Sequence, residues 1–307
     1  MLTFLLKRLF HGLAVIWVVT TLTFILLRLA PGGPFDRERK LPPEVLSNIE
    51  AKYHLDEPLS LQYLRYLTGI LHADLGPSYK YSDRGVKEII AETLPTSALL
   101  GLLALVFTLT VSFPTALMAA YFRNSWIDRL ALLAATLGLS VPHFILGALL
   151  IWFFALQLGW LQAGRWDSAT SMILPTVTLG AAPAAYIAAL LRSTLIEALG
   201  EDFIRTARAK GLREGAVLFK HALRNSLVPV LTVMGPLTAA LLTGSFVVEY
   251  VFAIPGMGQF FITAVTDRDY PLIMGVTLVY TALLVAANFW VDIFYSYVDP
   301  RIRVYGS

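Results

Sequence analysis

Charged residues are clustered along this chain, and six uncharged intervals lie between the clusters: 9–27, 93–122, 130–164, 168–191, 225–248 and 270–291. Each is 19 to 35 residues long. A helix rising about 1.5 Å per residue needs about 20 residues to cross a hydrocarbon core of about 30 Å. A helix also satisfies its own backbone hydrogen bonds, which lipid cannot do for it. The pattern therefore predicts six transmembrane helices. A seventh uncharged interval, 250–266, is interrupted by Pro255, Gly256, Gly258 and Gln259 and reads as an irregular loop dipping toward the membrane. The first interval follows Lys7 and Arg8 as the core of a signal peptide would. It is longer than such a core, and Arg28–Gly33 makes a poor cleavage site, so it reads as a first span.

Finer periodicities fill in the rest. Between the first two spans, residues 31–93 read as a small folded insertion. Pro43 opens a helix there that runs to Tyr53, and Leu61, Leu64, Leu67 and Leu71 recur at helical spacing. Val86, Ile89, Ile90 and Leu94 form an apolar stripe. It fits either a helix lying on the outer membrane surface or a plain extension of the second span. The fourth span carries Ala181, Ala182, Ala184, Ala185, Ala188 and Ala189, and the fifth Gly235, Ala239, Ala240 and Gly244. Small residues three and four apart let helices approach closely in lipid. Pro229 and Pro236 free carbonyls of the fifth helix, which must then face protein or water. Two readings stay open: a helix lining a wet path through Gly235, Pro236, Thr238, Gly244 and Ser245, or tight packing with tolerated kinks.

Composition agrees and excludes several chemistries. Hydrophobic residues make up 57% of the 307, charged ones 15%, and mean hydropathy is +0.67. A soluble domain is about a quarter charged. With no cysteine there is no disulfide framework, thiolate metal site or cysteine nucleophile. A net charge of +3 is too small to imply nucleic acid. Its distribution sets orientation instead. With both termini inside, the inner segments hold thirteen Lys/Arg, including Arg123, Arg129, Arg301 and Arg303, and the short outer loops hold only Arg165 and Arg268. The segment 31–93 carries eight basic and ten acidic residues and is long enough to translocate largely regardless of charge.

The most informative stretch is the connector 192–229, with seven Lys/Arg and four Asp/Glu between two spans. A few residues would suffice to turn the chain. Glu201 and Asp202, followed by Phe203 and Ile204, begin a short helix with acidic groups at its positive end. Arg205, Arg208 and Lys210 are interspersed with Ala207 and Ala209, Gly211 stops the helix before Leu212, and a second helix starts at Glu214 with Val217, Leu218, Ala222 and Leu223. A short charged helix with a small-residue face fits the groove of a soluble partner. A solvated basic loop would account for the charge, but not for the length.

Catalytic and energy-coupling constellations are missing. His11 and His143 have no carboxylate or second histidine at ligand spacing, and Ser140 with His143 lacks an orienting acid. No phosphate-binding G-x-x-x-x-G-K-[ST] loop occurs. Glu249 and Asp292 fall at span ends and read as interfacial charges rather than a membrane carboxylate relay. An intramembrane enzyme using Ser140 and His143, or an ion-coupled carrier, are the competing classes. Both are weaker than a transport subunit moved by an external motor at its connector.

The connector closely resembles that of the permease subunits of type I ATP-binding-cassette importers. Their E-A-A, three residues, G motif is met by RTARAKG (205–211), where Ala207 and Gly211 match and Arg205 and Thr206 replace the glutamate and first alanine. HALR (221–224) stands where the motif's hydrophobic end belongs, with a proline only at Pro229. TFLLKRLFHGLAV, LPPEVLSNIEAKYHL, LGPSYKY, VVEYVFAIPGMGQFF and DRDYP extend the similarity over the chain, toward the peptide and nickel branch and its oligopeptide B-type subunits.

The resemblance implies an all-α membrane protein with six transmembrane helices, the type I importer permease fold and a small helical extracytoplasmic insertion. It divides the chain into a first helix (1–30), a periplasmic insertion (31–93), a core (94–293) with coupling loop 192–226, and a cytoplasmic tail (294–307). It implies ATPase contact through Glu201, Asp202, Phe203, Arg205, Ala207, Arg208, Lys210, Gly211 and Leu212, and a periplasmic loop containing Glu249, Pro255, Gly256, Gly258 and Asp269. No cofactor is expected on this chain; ATP and Mg belong to two ATPase subunits. Expected partners are a C-type permease, those ATPases, a periplasmic peptide-binding protein and membrane lipid, in a bacterial inner membrane with both termini cytoplasmic. The outer segment favours oligopeptides over dipeptides or nickel.

Overall fold

The computed structural model describes residues 2–35, 43–81 and 83–298. In chain order the helices are α1 (Leu2–Leu29), α2 (Pro43–Lys52), α3 (Leu59–Leu71), α4 (Val86–Tyr121), α5 (Trp126–Ser140), α6 (His143–Leu150) and α7 (Ala169–Leu199). They continue with α8 (Asp202–Ala209), α9 (Glu214–Ala216), α10 (Leu223–Leu242), α11 (Phe246–Val251), α12 (Met257–Asp267) and α13 (Tyr270–Val298). Wider π-helical turns, Ile151–Gln157 and Val217–Ala222, extend α6 and join α9 to α10. Five helical stretches are long and apolar enough to cross a membrane, and the α5–α6 pair makes a sixth when counted as one broken span. Asp292's side chain and Arg301 and Arg303 lie outside the described residues.

The interval 130–164 is where the break falls. α5 and α6 meet at 108° across Val141 and Pro142. Pro142 has no N–H to continue the ladder, and a residue preceding proline is pushed out of the helical region. Val141 accordingly sits at φ −86° and ψ 119°. Pro229 and Pro236, by contrast, lie inside α10 without ending it. The interval 250–266 is also a correction: α11 and α12 replace the expected irregular loop, with Pro255 confined to the turn between them.

Small residues set the packing. α4 lies against α5, α7 and α10, and α13 lies against α10 and α1. A Cβ on Gly101 of α4 would come within 2.1 Å of the Leu241 carbonyl oxygen, and one on Gly180 of α7 within 2.9 Å of Ala104 O. Only glycine permits backbones so close. Ala184, Ala185 and Ala188 of the alanine-rich stretch are buried. α1 is peripheral, with exposed Leu13, Trp17 and Leu26, as lipid contact requires.

The stripe Val86–Leu94 resolves as a helical extension, since α4 begins at Val86. Val86, Ile89 and Ile90 are buried with Met257, Leu272, Ile273 and Val276, which rules out a surface-lying helix. In α3 most leucines point outward: Leu64 is 56% and Leu71 83% exposed, Leu67 is half-buried, and Gln62 is buried.

Candidate functional site

The connector folds as a docked helix. Glu201 is the N-cap of α8 without a side-chain cap bond, and Asp202 occupies the first turn. At the other end the Gly211 N–H donates to Arg208 O (2.9 Å) and the Leu212 N–H to Ala207 O (3.3 Å). That pair of bonds closes the helix with a residue in left-handed conformation, and Gly211 has φ +77°. Ile204 is fully buried and Ala207 nearly so, in a cluster with Leu191 and Leu195 of α7, Ala116 and Ala120 of α4, and Val230 of α10. Phe203, Arg205, Arg208, Lys210 and Leu212 remain exposed. One face of α8 thus packs on the π-helical turn Val217–Ala222, within the apolar cluster that this turn shares with α4, α7 and α10, and the other presents cations and apolar side chains to solvent.

Ion pairs line this surface and its base. Arg208 donates to both Glu214 oxygens (2.8 and 3.1 Å), so the hydrogen-bonded carboxylate holds the guanidinium above its usual range. Arg205 pairs with Asp202 at 3.1 Å. Arg192 at the end of α7 donates Nε–H and Nη2–H to the two oxygens of buried Asp128 (2.5 and 2.8 Å), tying α5 to the base of the connector. Asp128 also accepts from the Asn124 N–H.

A second constellation forms at the opposite end of the bundle. Glu249 is an interior group rather than an interfacial charge, with 0% exposure. One carboxyl oxygen accepts from the Ser97 hydroxyl of α4 (2.8 Å). The other accepts from the N–H groups of Gly258 (2.8 Å) and Gln259 (3.3 Å) at the start of α12, where unsatisfied amides favour such an acceptor. The Ser97 oxygen in turn accepts from Met257 N–H. Three glycines make room for the carboxyl group. A Cβ on Gly244, Gly256 or Gly258 would stand 2.3, 2.5 or 2.9 Å from its atoms. The string EYVFAIPGMGQ therefore encodes a buried carboxyl group and its cradle.

Asp269 is buried too. It accepts from the Ser78 hydroxyl, from Lys80 N–H (3.3 Å) and from Leu272 N–H (3.2 Å) at the start of α13. Lys80 pairs with Asp267, and Arg268 and Tyr270 donate to the carbonyls of Gly33 and Gly32. LGPSYKY, DRDYP and the end of the first span are thereby laced together.

The pathway candidates on α10 are dispersed. Gly235 is buried, where a Cβ would press Asn288 Oδ1 at 2.5 Å. Gly244 and Ser245 belong to the Glu249 junction, Ser245 capping α11 through Val248 N–H. Pro236 is exposed and Thr238 half-buried. Ser140 is exposed, and His143 Nδ1 lies 3.1 Å from Thr178 O, so no nucleophile–base pair exists between them. Among the described residues no group of three His, Asp or Glu is arranged to hold a metal. Ser78, Ser97 and Asp128 were not singled out from the sequence, because no local pattern distinguishes a serine or aspartate whose partner is 64 to 191 residues away.

Comparison with known proteins bears on both ends. The model of the binding-protein-dependent transport system inner membrane component matches residues 112–304, and that of the N-terminal part of such membrane components matches 1–101. The chain is 45% identical to the dipeptide transport system permease protein DppB of Bacillus subtilis over 99% of both chains. It is 44% identical to the oligopeptide transport system permease protein OppB of Haemophilus influenzae, over 99% of this chain and 100% of that one. The inward-facing MetNI methionine ABC transporter aligns with TM-score 0.53 at 20% identity over 69% of this chain and 96% of that one, a likeness of fold. With two matched regions spanning nearly its whole length, the chain belongs to the binding-protein-dependent transport system inner membrane components, a family of multi-pass permease subunits and not of enzymes.

Proposed function

We propose that this chain is the B-type permease subunit of an ATP-binding-cassette importer for oligopeptides. It forms half of a translocation pathway whose other half is a similar but distinct C-type subunit. Two ATPase subunits bind the connector, holding ATP and Mg themselves, and an extracytoplasmic binding protein delivers the peptide. The observation carrying this reading is the two-faced α8, buried by Ile204 and Ala207 in the apolar cluster shared with α4, α7, α10 and the turn Val217–Ala222 and exposed elsewhere. A helix seated on the turn that contacts α10 and α7 moves with them. A partner that prefers one arrangement over another can then bias which side of the membrane the pathway faces. The surface of contact is Glu201–Leu212, and Pro236 and Thr238 are the lining candidates that keep access.

The relatives named as oligopeptide permeases, together with the segment LPPEVLSNIEAKYHL, support oligopeptides as substrate. A dipeptide importer of the same branch is the second reading, favoured by the 45% identity to the Bacillus protein. The chain sits in a bacterial inner membrane with termini and connector in the cytoplasm. Its parts are a first helix to 30, a periplasmic insertion 31–93, a core 94–293 and a tail.

Gly211→Trp tests the coupling. Its Cβ enters open space, yet the residue needs φ +77°, so the substitution distorts the end of α8 without disturbing the bundle. In vesicles holding the whole transporter, uptake of a labelled oligopeptide is expected to fall by about tenfold or more while ATP hydrolysis continues. Full association with the ATPases after deletion of 203–213 would overturn the assignment.

A further inference from the structure

At the C-terminal end of α1 lies a chamber of about 320 Å³ lined by Tyr53, Tyr66, Tyr79, Tyr270, Arg28 and Gln62. Its electrostatics are unbalanced. The Arg28 guanidinium lies over the rings of Phe24 (5.2 Å) and Tyr270 (5.3 Å), and no carboxylate among the described residues pairs with it. The two other cations at this chamber are engaged, Arg65 with Glu57 at 2.7 Å and Lys52 over the Tyr53 ring. Among the described residues the Tyr66 hydroxyl and Gln62 Oε1 are buried with no hydrogen-bond partner. Gln62 Nε2 donates to the carbonyls of Leu55 and Glu57, which fixes the amide and leaves Oε1 as the vacant acceptor. Asp74, whose Oδ1 accepts from Gly76 N–H, completes the polar wall. Burial pushes the Tyr79 phenol up to about 12, against the charge of Arg28 and the hydrogen bond between the two.

An apolar groove of about 350 Å³ adjoins the chamber and shares Phe24 and Arg28 with it. It runs from Arg28 back to Thr21, between α1 and the first turns of α3 at Leu59 and Tyr63. That is about 10 Å down the helix axis, within the candidate span Leu6–Leu29. The Tyr63 hydroxyl lies 2.6 Å from Thr21 Oγ1 and pins α3 at this depth. Leu59, which lines the groove, is 57% exposed and Leu64 56%.

We propose that chamber and groove form one binding site for a glycerophospholipid of the leaflet at α1's C-terminal end. The phosphate is held by Arg28 and the Tyr66 hydroxyl, and the head group's ammonium or hydroxyl donates to Gln62 Oε1 beside Asp74. One acyl chain descends the groove toward Thr21. A cation at the head-group level above an apolar channel matches an amphiphile with phosphate at one end, whereas a peptide carboxylate would use Arg28 and leave the channel unexplained. The donor requirement selects phosphatidylethanolamine or phosphatidylglycerol over phosphatidylcholine, which has no donor.

Native mass spectrometry of the full chain in detergent, titrated with each of the three lipids, tests this. Ethanolamine and glycerol lipids are expected to bind at one per chain, and the choline lipid about tenfold more weakly. Arg28→Gln and Ile25→Trp are each expected to weaken binding by about tenfold, Arg28→Lys far less, and Leu102→Trp, exposed on α4 away from the groove, not at all. Ile25 is exposed, so filling the groove there leaves the fold intact and decides the matter should Arg28→Gln misfold. Equal binding by all variants, or displacement of the lipid by inorganic phosphate or a free tripeptide, would overturn the proposal.

Discussion

Glu249 shows how much one side chain organises. It joins α4, α11 and α12 through Ser97 and two backbone N–H groups, inside a cradle that only glycine leaves open. Glu249→Ala strands a buried hydroxyl and two amides, which amounts to about 2–3 kcal/mol of lost stability. The exposed neighbour substitution Tyr250→Ala is expected to stay within about 0.5 kcal/mol. Thermal unfolding of the purified chain in detergent compares the two, and equal midpoints would remove Glu249 from this role. Glycine spacing in EYVFAIPGMGQ was visible in the sequence. The carboxyl group it encloses was not, because a glutamate at the end of an uncharged interval looks like an interfacial charge until Ser97, 152 residues earlier, is brought beside it.

At the scale of the element, α8 was the most legible part of the chain. Acidic residues at its start, alternating cations and alanines, and a stopping glycine delimit the helix observed at Asp202–Ala209. Which face it buries was not legible, since Ile204 and Ala207 join a cluster that includes residues of α4, α7 and α10 far away in the chain. Ile204→Ala removes a fully buried side chain, at about 2–4 kcal/mol for the docked helix. Hydrogen exchange over 202–212 is expected to accelerate in that variant and to stay unchanged in Arg205→Ala, whose side chain is 76% exposed. Faster exchange in both, or in neither, would mean that α8 is not held by its apolar face. The break between α5 and α6 belongs to this scale as well. Pro142 was in plain view, but hydropathy alone does not distinguish a straight span from one bent by 108°.

For the whole molecule, the testable matter is which end faces which compartment. The chain has no cysteine, so single introduced thiols report unambiguously. Lys210→Cys, on the exposed side of the connector, is expected to react with an impermeant maleimide only after the membrane is opened. Thr266→Cys, exposed on α12, is expected to react in spheroplasts with an intact membrane. Reaction of Lys210→Cys in intact spheroplasts would invert the topology and with it the coupling scheme.

Number and rough placement of the spans, the helical class and the charged connector were fixed by local order, because hydrocarbon selects uncharged runs of one length and satisfies no backbone group. Proline and glycine positions marked where helices bend or stop. The tertiary structure alone decided the rest: the glycine contacts that set α4 against α7 and α10, the Ser97–Glu249 and Ser78–Asp269 links, the Asp128–Arg192 pair and the chamber around Arg28. Each depends on residues far apart in the chain meeting at hydrogen-bond or van der Waals distance. No periodicity of 3.6 residues carries that information, since it orders neighbours on one helix and says nothing of which helix lies alongside.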